Sequence, residues 1–239
     1  MASRRGKPAG DAEPVGDAVP GSGSSSATPE PSSNLQVAFT GLAEGTLLHR
    51  VHLNQYGADE FNPGVRGNAR FSPIQDDQAR AIPTLYAGTT LPCALMETVF
   101  HDVPHTTGFK SFDKSRLAEH VHSTVEVGSD LQLIDLSSVA LRKLGVTRKQ
   151  LIDTEKDQYP ATRKWAMAIH SQCSQAQGLS WVSRQDDSAR AVMLFGDRVA
   201  EGMLRAKGES NSLTEDADTY DAVLDLADRI GVSIVPGKS

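Results

Sequence analysis

The sequence predicts a single α+β domain behind a disordered amino-terminal tail. The chain of 239 residues is 38% hydrophobic and 23% charged, an ordinary composition for a soluble globular protein. Strand-like and helix-like segments are mixed without the regular alternation that is typical of a parallel sheet. Residues 1–34 are almost entirely Gly, Pro, Ala, Ser and scattered charges, without an aromatic residue. Such a segment buries too little apolar surface to offset its conformational entropy, so the domain is expected at residues 35–239.

The tail lacks the features of a targeting segment. Its basic start is not followed by an apolar stretch, and Asp11, Glu13 and Asp17 are atypical of a mitochondrial transit peptide. No run in the chain approaches the ~18 apolar residues of a membrane span. The protein is therefore expected in the cytoplasm and away from membranes, and removing the tail is expected to change thermal stability little.

Alternation of apolar and polar residues, or short apolar runs bounded by turn residues, predicts the strands. They are expected at 46–52, 82–88, 121–127, 131–136, 179–183, 191–196 and 232–236, with a turn at 128–130. Helices are predicted from Thr90, a good N-cap followed by Pro92, to about His101, and at 137–144, where Gly145 ends the helix. Two amphipathic helices are expected at 160–172 and 216–231.

The segment 53–74 contains too many Gly, Pro and Asn residues for a regular element. It also carries Tyr56, Arg66 and Arg70, and this density of aromatic and basic residues argues against disorder. Glycine lets a backbone approach a ligand closely, and a guanidinium binds phosphate through paired donors. The segment is therefore suited to an anion, although alone it matches no established phosphate-binding motif.

Glu97 lies within the helix that begins after Thr90. On a helix, Thr90, Ala94, Glu97 and His101 share a stripe of small and polar residues, beside a more apolar face. Taken alone, Glu97 is equally compatible with a solvated surface and with a cleft. Taken alone, Tyr86 is compatible with packing in the core. Arg50, taken alone, is compatible with an exposed position on a strand.

Composition also limits which kinds of ligand, metal and macromolecular partner are expected. The formal charge of −6 disfavours direct nucleic-acid binding, which requires a basic face. Cys93 and Cys173 form neither a disulfide framework nor a zinc motif. Two close histidine pairs, His49/His52 and His120/His122, lack a third ligand at a diagnostic spacing, so neither a metal nor a bound cofactor is expected.

The order of these segments resembles the RES domain, a family named for Arg, Glu and Ser. The first strand and the loop after it, "HRVHLNQYGADEFN", place Arg50 and Tyr56. The block "GNARFSP" resembles the family's Gly–Arg–Trp element and places Arg70, with Phe71 in the position of the tryptophan. The connection from there to the next block is longer than the family pattern, which leaves open whether Arg66 or Arg70 is the critical arginine.

The strand–helix block "LYAGTTLPCALMETVFH" is the most specific part of the resemblance and places Tyr86 and Glu97. The late strand "GLSWVSRQ" places Ser183. The resemblance extends over about residues 45–200. It implies a single domain with a fold like that of the ADP-ribosyltransferase toxins.

The resemblance further implies an NAD⁺-degrading toxin that cleaves the nicotinamide–ribose bond by phosphorolysis or hydrolysis. The implied catalytic residues are Glu97, Arg70, Tyr86 and Ser183. Glu97 would stabilise positive charge on the ribose or orient its hydroxyls, while Ser183 would position an attacking phosphate or a ribose hydroxyl. NAD⁺ would be held by five side chains: Arg50, Tyr56, Arg66, Arg70 and Tyr86. NAD⁺ would be a substrate, with inorganic phosphate as a candidate second substrate.

The implied partner is an Xre-type helix-turn-helix antitoxin, which would block the arginine-lined cleft with carboxylates. Two other functions stay open: a protein ADP-ribosyltransferase that uses the same pocket, and a non-catalytic module that binds a nucleotide or a partner. The sequence also leaves open whether the protein is a monomer or a homodimer, and whether phosphate or water is the acceptor.

Overall fold

A computed structural model describes residues 27–64, 66–104, 106–183 and 186–237. The strands within these residues are β1 (Phe39–Leu42), β2 (Leu47–Leu53), β3 (Ile74–Gln75), β4 (Ala81–Ile82), β5 (Thr84–Gly88), β6 (Lys110–Asp113), β7 (His120–Val127), β8 (Leu131–Asp135), β9 (Gly178–Val182), β10 (Arg190–Phe195), β11 (Leu204–Ser212) and β12 (Val232–Val235). The helices are α1 (Leu91–Thr98), α2 (Ser138–Leu144), α3 (Arg148–Leu151), α4 (Tyr159–Gln172) and α5 (Ala217–Arg229).

The main sheet has the strand order β1-β8-β9-β10-β5-β2-β7-β11. Strands β8 and β9 are parallel, and the other neighbours are antiparallel. In the described chain, β2 and β5 meet at one residue pair, His49 with Gly88, so the sheet opens between them. Strand β12 pairs in parallel with β6, and β3 with β4, outside the main sheet. The predicted α+β domain is confirmed.

The sheet must curl, because β7 and β8 are joined by the short turn at 128–130 but lie far apart in the strand order. Five strand spacings across a flat sheet would measure about 24 Å. A three-residue link spans at most about 14 Å. The curl brings Leu48, Val125, Leu133 and Leu194 of β2, β7, β8 and β10 into one inner core. The predicted turn is present, although the strands that it joins do not pair.

Helices close the two outer parts of the core. Helices α2, α3 and α4 pack on the sheet around Trp165 and Trp181. Helices α1 and α5 enclose a second apolar group with Phe100 and Phe112. Among the helices that the structure describes, none has the length and apolar character needed to span a lipid bilayer.

Helix α1 begins as the sequence predicts, because the Thr90 hydroxyl accepts a hydrogen bond from the Cys93 amide at 3.1 Å. It ends at Thr98, three residues before the predicted end. Gly88 lets the helix start directly against β5, since a Cβ atom at this position would lie 2.8 Å from the Cys93 sulfur. The approach fixes the direction in which α1 leaves the sheet.

Strand β11, along with β1, β3, β6 and helix α3, is absent from the sequence prediction. Strand β11 is an edge strand in which residues 205–211 are all exposed. A strand with both faces in solvent has no apolar residues to alternate with its polar ones, so periodicity cannot detect it. The short strand β1 lies at the other edge of the sheet.

The folded domain extends further toward the amino terminus than composition predicts. Residues 1–26 of the predicted tail lie outside the described residues, but the next eight pack against α3 and α4. The Trp165 indole donates to the Pro29 carbonyl at 2.7 Å, and the Thr28 hydroxyl donates to the Gln150 carbonyl at 2.6 Å. Gln172 binds the Leu35 amide and the Ser32 carbonyl. We call residues 27–34 the N-terminal strap.

Deleting residues 1–34 should therefore lower the thermal midpoint more than deleting residues 1–26. Loss of the strap removes the partner of a buried indole and other hydrogen bonds, at a cost of roughly 1–2 kcal/mol. For a domain of this size that corresponds to a shift of about 2–8 °C. The control is Glu30→Gln, which removes only the exposed Lys164–Glu30 ion pair and should shift the midpoint by less than about 2 °C. Equal midpoints for the two deletions would contradict a stabilising strap.

Candidate active site

The Glu97 carboxylate lies in a cleft of about 440 Å³ and not on the outer surface. The cleft is formed where β2 and β5 diverge, and its walls come from these strands, from α1 and from the loop between β2 and β3. Glu97 is in the last turn of α1, and its side chain is 12% exposed. Of the two positions that the sequence left open for this residue, the structure shows the cleft.

Ser183 binds the Glu97 carboxylate through its hydroxyl group. It follows the end of β9 and is fully buried, and its hydroxyl donates to Glu97 Oε1 at 2.8 Å. Ser183 is absent from the residues that line the cleft within the described chain. This geometry places its hydroxyl on the carboxylate, whereas the resemblance implied a contact with phosphate or a ribose hydroxyl. Its direct effect is to fix one oxygen of Glu97.

Arg70 contacts the other oxygen of the same carboxylate. Its NH1 atom lies 3.4 Å from Glu97 Oε2, and the side chain is 6% exposed. Helix α4 holds this arginine through two contacts. The Thr162 hydroxyl donates to the Arg70 carbonyl, and the centroid of the Tyr159 ring lies 5.9 Å from Arg70 Cζ. The buried Arg70 Nε has no hydrogen-bond partner among the described residues. Such an unsatisfied donor costs about 1–3 kcal/mol.

Of the two loop arginines, Arg70 is the one that contacts Glu97. Arg66 is exposed at the mouth of the cleft. Its position allows an electrostatic role toward an entering anion but gives no contact with the carboxylate. The structure thus separates two residues that the sequence could not rank.

Tyr86 lines the cleft with its ring and uses its hydroxyl to hold the loop. The hydroxyl accepts a hydrogen bond from the Phe71 amide at 3.1 Å. Burial raises the pKa of this phenol to about 12, so it stays protonated at neutral pH. The ring meets Trp181 edge to face, with centroids 6.2 Å apart. Tyr86 therefore offers an aromatic surface with a fixed orientation.

Arg50 lies on β2 at the wall of the cleft and organises the loop after that strand. Its NH1 atom donates to the carbonyls of Gly57 and Ala58, at 2.9 and 2.8 Å. Burial lowers the pKa of Arg50 to about 10, opposed by Glu60 and Asp59, so the side chain remains charged at neutral pH. Partly buried Tyr56 lines the cleft on this loop.

The histidines pair differently from the sequence prediction. His49 Nδ1 lies 3.0 Å from His122 Nε2, and the rings stack with centroids 5.2 Å apart. His52 instead meets the Ser123 hydroxyl at 2.8 Å, and burial lowers its pKa to about 4. In the described ranges, no three His, Cys, Asp or Glu side chains come together as metal ligands.

The residues of α4 that hold Arg70 are not among those predicted from the sequence. Thr162 is fully buried, in line with Tyr159 and Trp165 on the inner face of the helix. A hydroxyl within a buried apolar stripe is the signal that could have identified it, because buried polar groups need a hydrogen-bond partner.

The fold is similar to that of a chain in the crystal structure of the M. tuberculosis MbcT–MbcA toxin–antitoxin complex. The TM-score is 0.55, with 17% sequence identity over 76% of this chain and 91% of that chain. At this identity the likeness concerns the fold. Among curated protein sequences, none matches the chain. The family description "RES domain" matches residues 47–215, a range that contains Arg50, Arg70, Glu97 and Ser183. The chain therefore belongs to the RES domain family.

Proposed function

We propose that this protein is the toxin of a toxin–antitoxin pair and that it degrades NAD⁺ by cleaving the nicotinamide–ribose bond. One observation carries the proposal: a carboxylate, Glu97, fixed between Ser183 and Arg70 inside a cleft of ligand size. The cleft volume of about 440 Å³ lies within the range of small-molecule sites. The proposed site of action is the cytoplasm, where NAD⁺ is used.

The chemistry requires a group that stabilises positive charge on a sugar. Cleavage of the bond between nicotinamide and C1 of the ribose passes through an oxocarbenium-like transition state, as in glycoside hydrolysis. Glu97 provides negative charge in a partly water-excluded site, where preorganised electrostatics act most strongly. Nicotinamide leaves as a neutral molecule and takes the bond electrons with it. Phosphate or water then supplies the oxygen that bonds to C1, and the reaction calls for no resident cofactor.

The arginines and aromatic residues suit the rest of the substrate. Arg70 and the exposed Arg66 line the cleft, and their guanidinium groups can bind the pyrophosphate, which carries two negative charges. The Tyr86 ring offers a surface for the nicotinamide. In this assignment Arg50 contributes positive charge and shapes the loop that carries Tyr56.

The proposed partner is an antitoxin of the Xre helix-turn-helix type. The similarity of the fold to a chain from a toxin–antitoxin complex supports an antitoxin as the partner, and the Xre type rests on the family resemblance. An enzyme that consumes NAD⁺ must be restrained in its own cell, and the simplest restraint occupies the cleft. Carboxylates of the antitoxin would then imitate the pyrophosphate at the cleft arginines.

Glu97→Gln should abolish nicotinamide release while leaving the fold intact. The amide keeps the size of the side chain and an oxygen for Ser183 but removes the negative charge, so kcat should fall at least about 100-fold. The measurement is release of nicotinamide from labelled NAD⁺, with and without phosphate. Exposed Glu119→Gln is the control and should retain full activity.

The same assay separates the alternative functions. Transfer of the ADP-ribose label to protein would identify a protein ADP-ribosyltransferase. NAD⁺ binding without any turnover by the wild-type protein would identify a non-catalytic module.

Arg70→Ala and Arg66→Ala should differ in their effect on KM. Losing a buried charge-assisted hydrogen bond costs about 1.5–3 kcal/mol, so Arg70→Ala should raise KM for NAD⁺ roughly 10- to 100-fold. Arg66 is exposed, and its removal should change KM by less than about fivefold. The reverse order in steady-state kinetics would show that the loop binds NAD⁺ through Arg66.

The antitoxin should compete with NAD⁺. Titrating NAD⁺ against the purified complex should release inhibition, and the association rate should fall as salt rises, because opposite charges steer the encounter. Arg66→Gln should slow association, whereas Arg142→Gln, on α2 away from the cleft, should not. Inhibition that is independent of NAD⁺ concentration would rule out occupation of the cleft.

A further inference from the structure

Arg148 lies outside the cleft and forms hydrogen bonds with the end of β9 and with Ser183, which follows it. It is the first residue of α3. Its NH1 atom donates to the Val182 carbonyl at 3.2 Å, and its NH2 atom donates to the Ser183 carbonyl at 3.0 Å. One planar guanidinium therefore binds the two carbonyls with NH1 and NH2 while its Nε faces Asp153, and the single nitrogen of a lysine lacks this fixed fork of donors.

The strand needs this support because its neighbour in the sheet stops early. The ladder between β8 and β9 ends at the pair Asp135 and Ser180, with the Leu136 amide bonded to the Ser180 carbonyl. Beyond that point β9 has no hydrogen bonds from β8 among the described residues, and Arg148 donates to the carbonyls of Val182 and Ser183 instead. On the other side, the Ser183 amide donates to the Ala189 carbonyl at 3.0 Å. Both backbone polar groups of Ser183 are thus fixed.

Arg148 is itself held in one orientation. Both carboxylate oxygens of Asp153 lie 3.1 Å from its Nε atom. The short helix has a capping box, in which the Thr147 amide donates to Gln150 Oε1 at 3.0 Å. Leu151, in the same helix, is fully buried. A rigid platform therefore connects Asp153 and Arg148 to Ser183, and Ser183 connects to Glu97.

We propose that Arg148 is a positioning residue that acts through Ser183 to set the orientation of the Glu97 carboxylate. The proposal rests on the proposed function, since it assigns Arg148 to the same reaction. It predicts a specific kinetic signature. A misplaced carboxylate slows the chemical step, whereas substrate binding depends on groups that Arg148 does not contact.

Arg148→Leu should lower kcat for nicotinamide release about 10- to 100-fold, because small errors in the placement of a reacting group have effects of this size. KM should change by less than about threefold. Arg148→Lys should lose nearly as much activity, since lysine keeps the charge but has one nitrogen in place of the three that bind Asp153 and both carbonyls. Exposed Arg142→Leu, on α2, is the control and should keep wild-type kinetics. Wild-type kcat in Arg148→Lys would overturn the proposal.

A double-mutant cycle with Ser183→Ala tests the route of the effect. If Arg148 acts through Ser183, adding Arg148→Leu to Ser183→Ala should lower kcat by less than about twofold more. Losses that multiply in full would mean that Arg148 acts independently of Ser183, and would overturn the proposal. If Arg148→Leu fails to fold, Asp153→Asn takes its place, with a smaller loss of kcat that also disappears in the Ser183→Ala background.

Crystal structures of the wild type and of a folded Arg148 or Asp153 variant make the test independent of activity. The hydrogen bond from Ser183 Oγ to Glu97 should be broken or lengthened in the variant. If it is unchanged at 2.8 Å, the proposal is wrong even where activity falls. If the wild type releases no nicotinamide, the proposed function fails, and the crystal structures alone decide whether Arg148 positions Ser183.

Discussion

Glu97 presents a carboxylate, only 12% exposed, at the end of a helix whose preceding turn is buried and apolar. Removing such a group from water costs several kcal/mol unless other groups compensate. Ser183 and Arg70 provide the compensation, one at each oxygen. They come from distant parts of the chain, so this stabilisation requires α1, the end of β9 and the loop between β2 and β3 to have assembled.

Support for Arg70 extends well beyond the cleft. The loop that carries it has little regular structure, and α4 fixes it through Thr162. One helical turn further along, Trp165 is bound to Pro29 of the N-terminal strap. The strap lies outside the 47–215 range of the RES domain match, yet it braces the helix that holds a residue of the site. Stability at the amino terminus and geometry in the cleft are therefore physically connected.

Local patterns predicted the strand–helix block that carries Tyr86 and Glu97, because the Thr90 cap and the polar stripe of α1 are properties of neighbouring residues. The remaining partners depend on long-range geometry. Ser183 reaches Glu97 because the sheet curls. Arg50 binds loop carbonyls because the chain after β2 folds back over this strand. No local signal carries this information, just as none marks the exposed edge strand β11.

The contact between Arg70 and Glu97 is longer than a usual charge-assisted hydrogen bond. Their closest atoms are 3.4 Å apart, whereas charge-assisted hydrogen bonds usually measure about 2.7–2.9 Å. The Nε atom of the same guanidinium is buried without an acceptor among the described residues. Under the proposed function, Glu97 and Arg70 are fixed charges that are in place before a substrate enters the cleft, as a preorganised site requires.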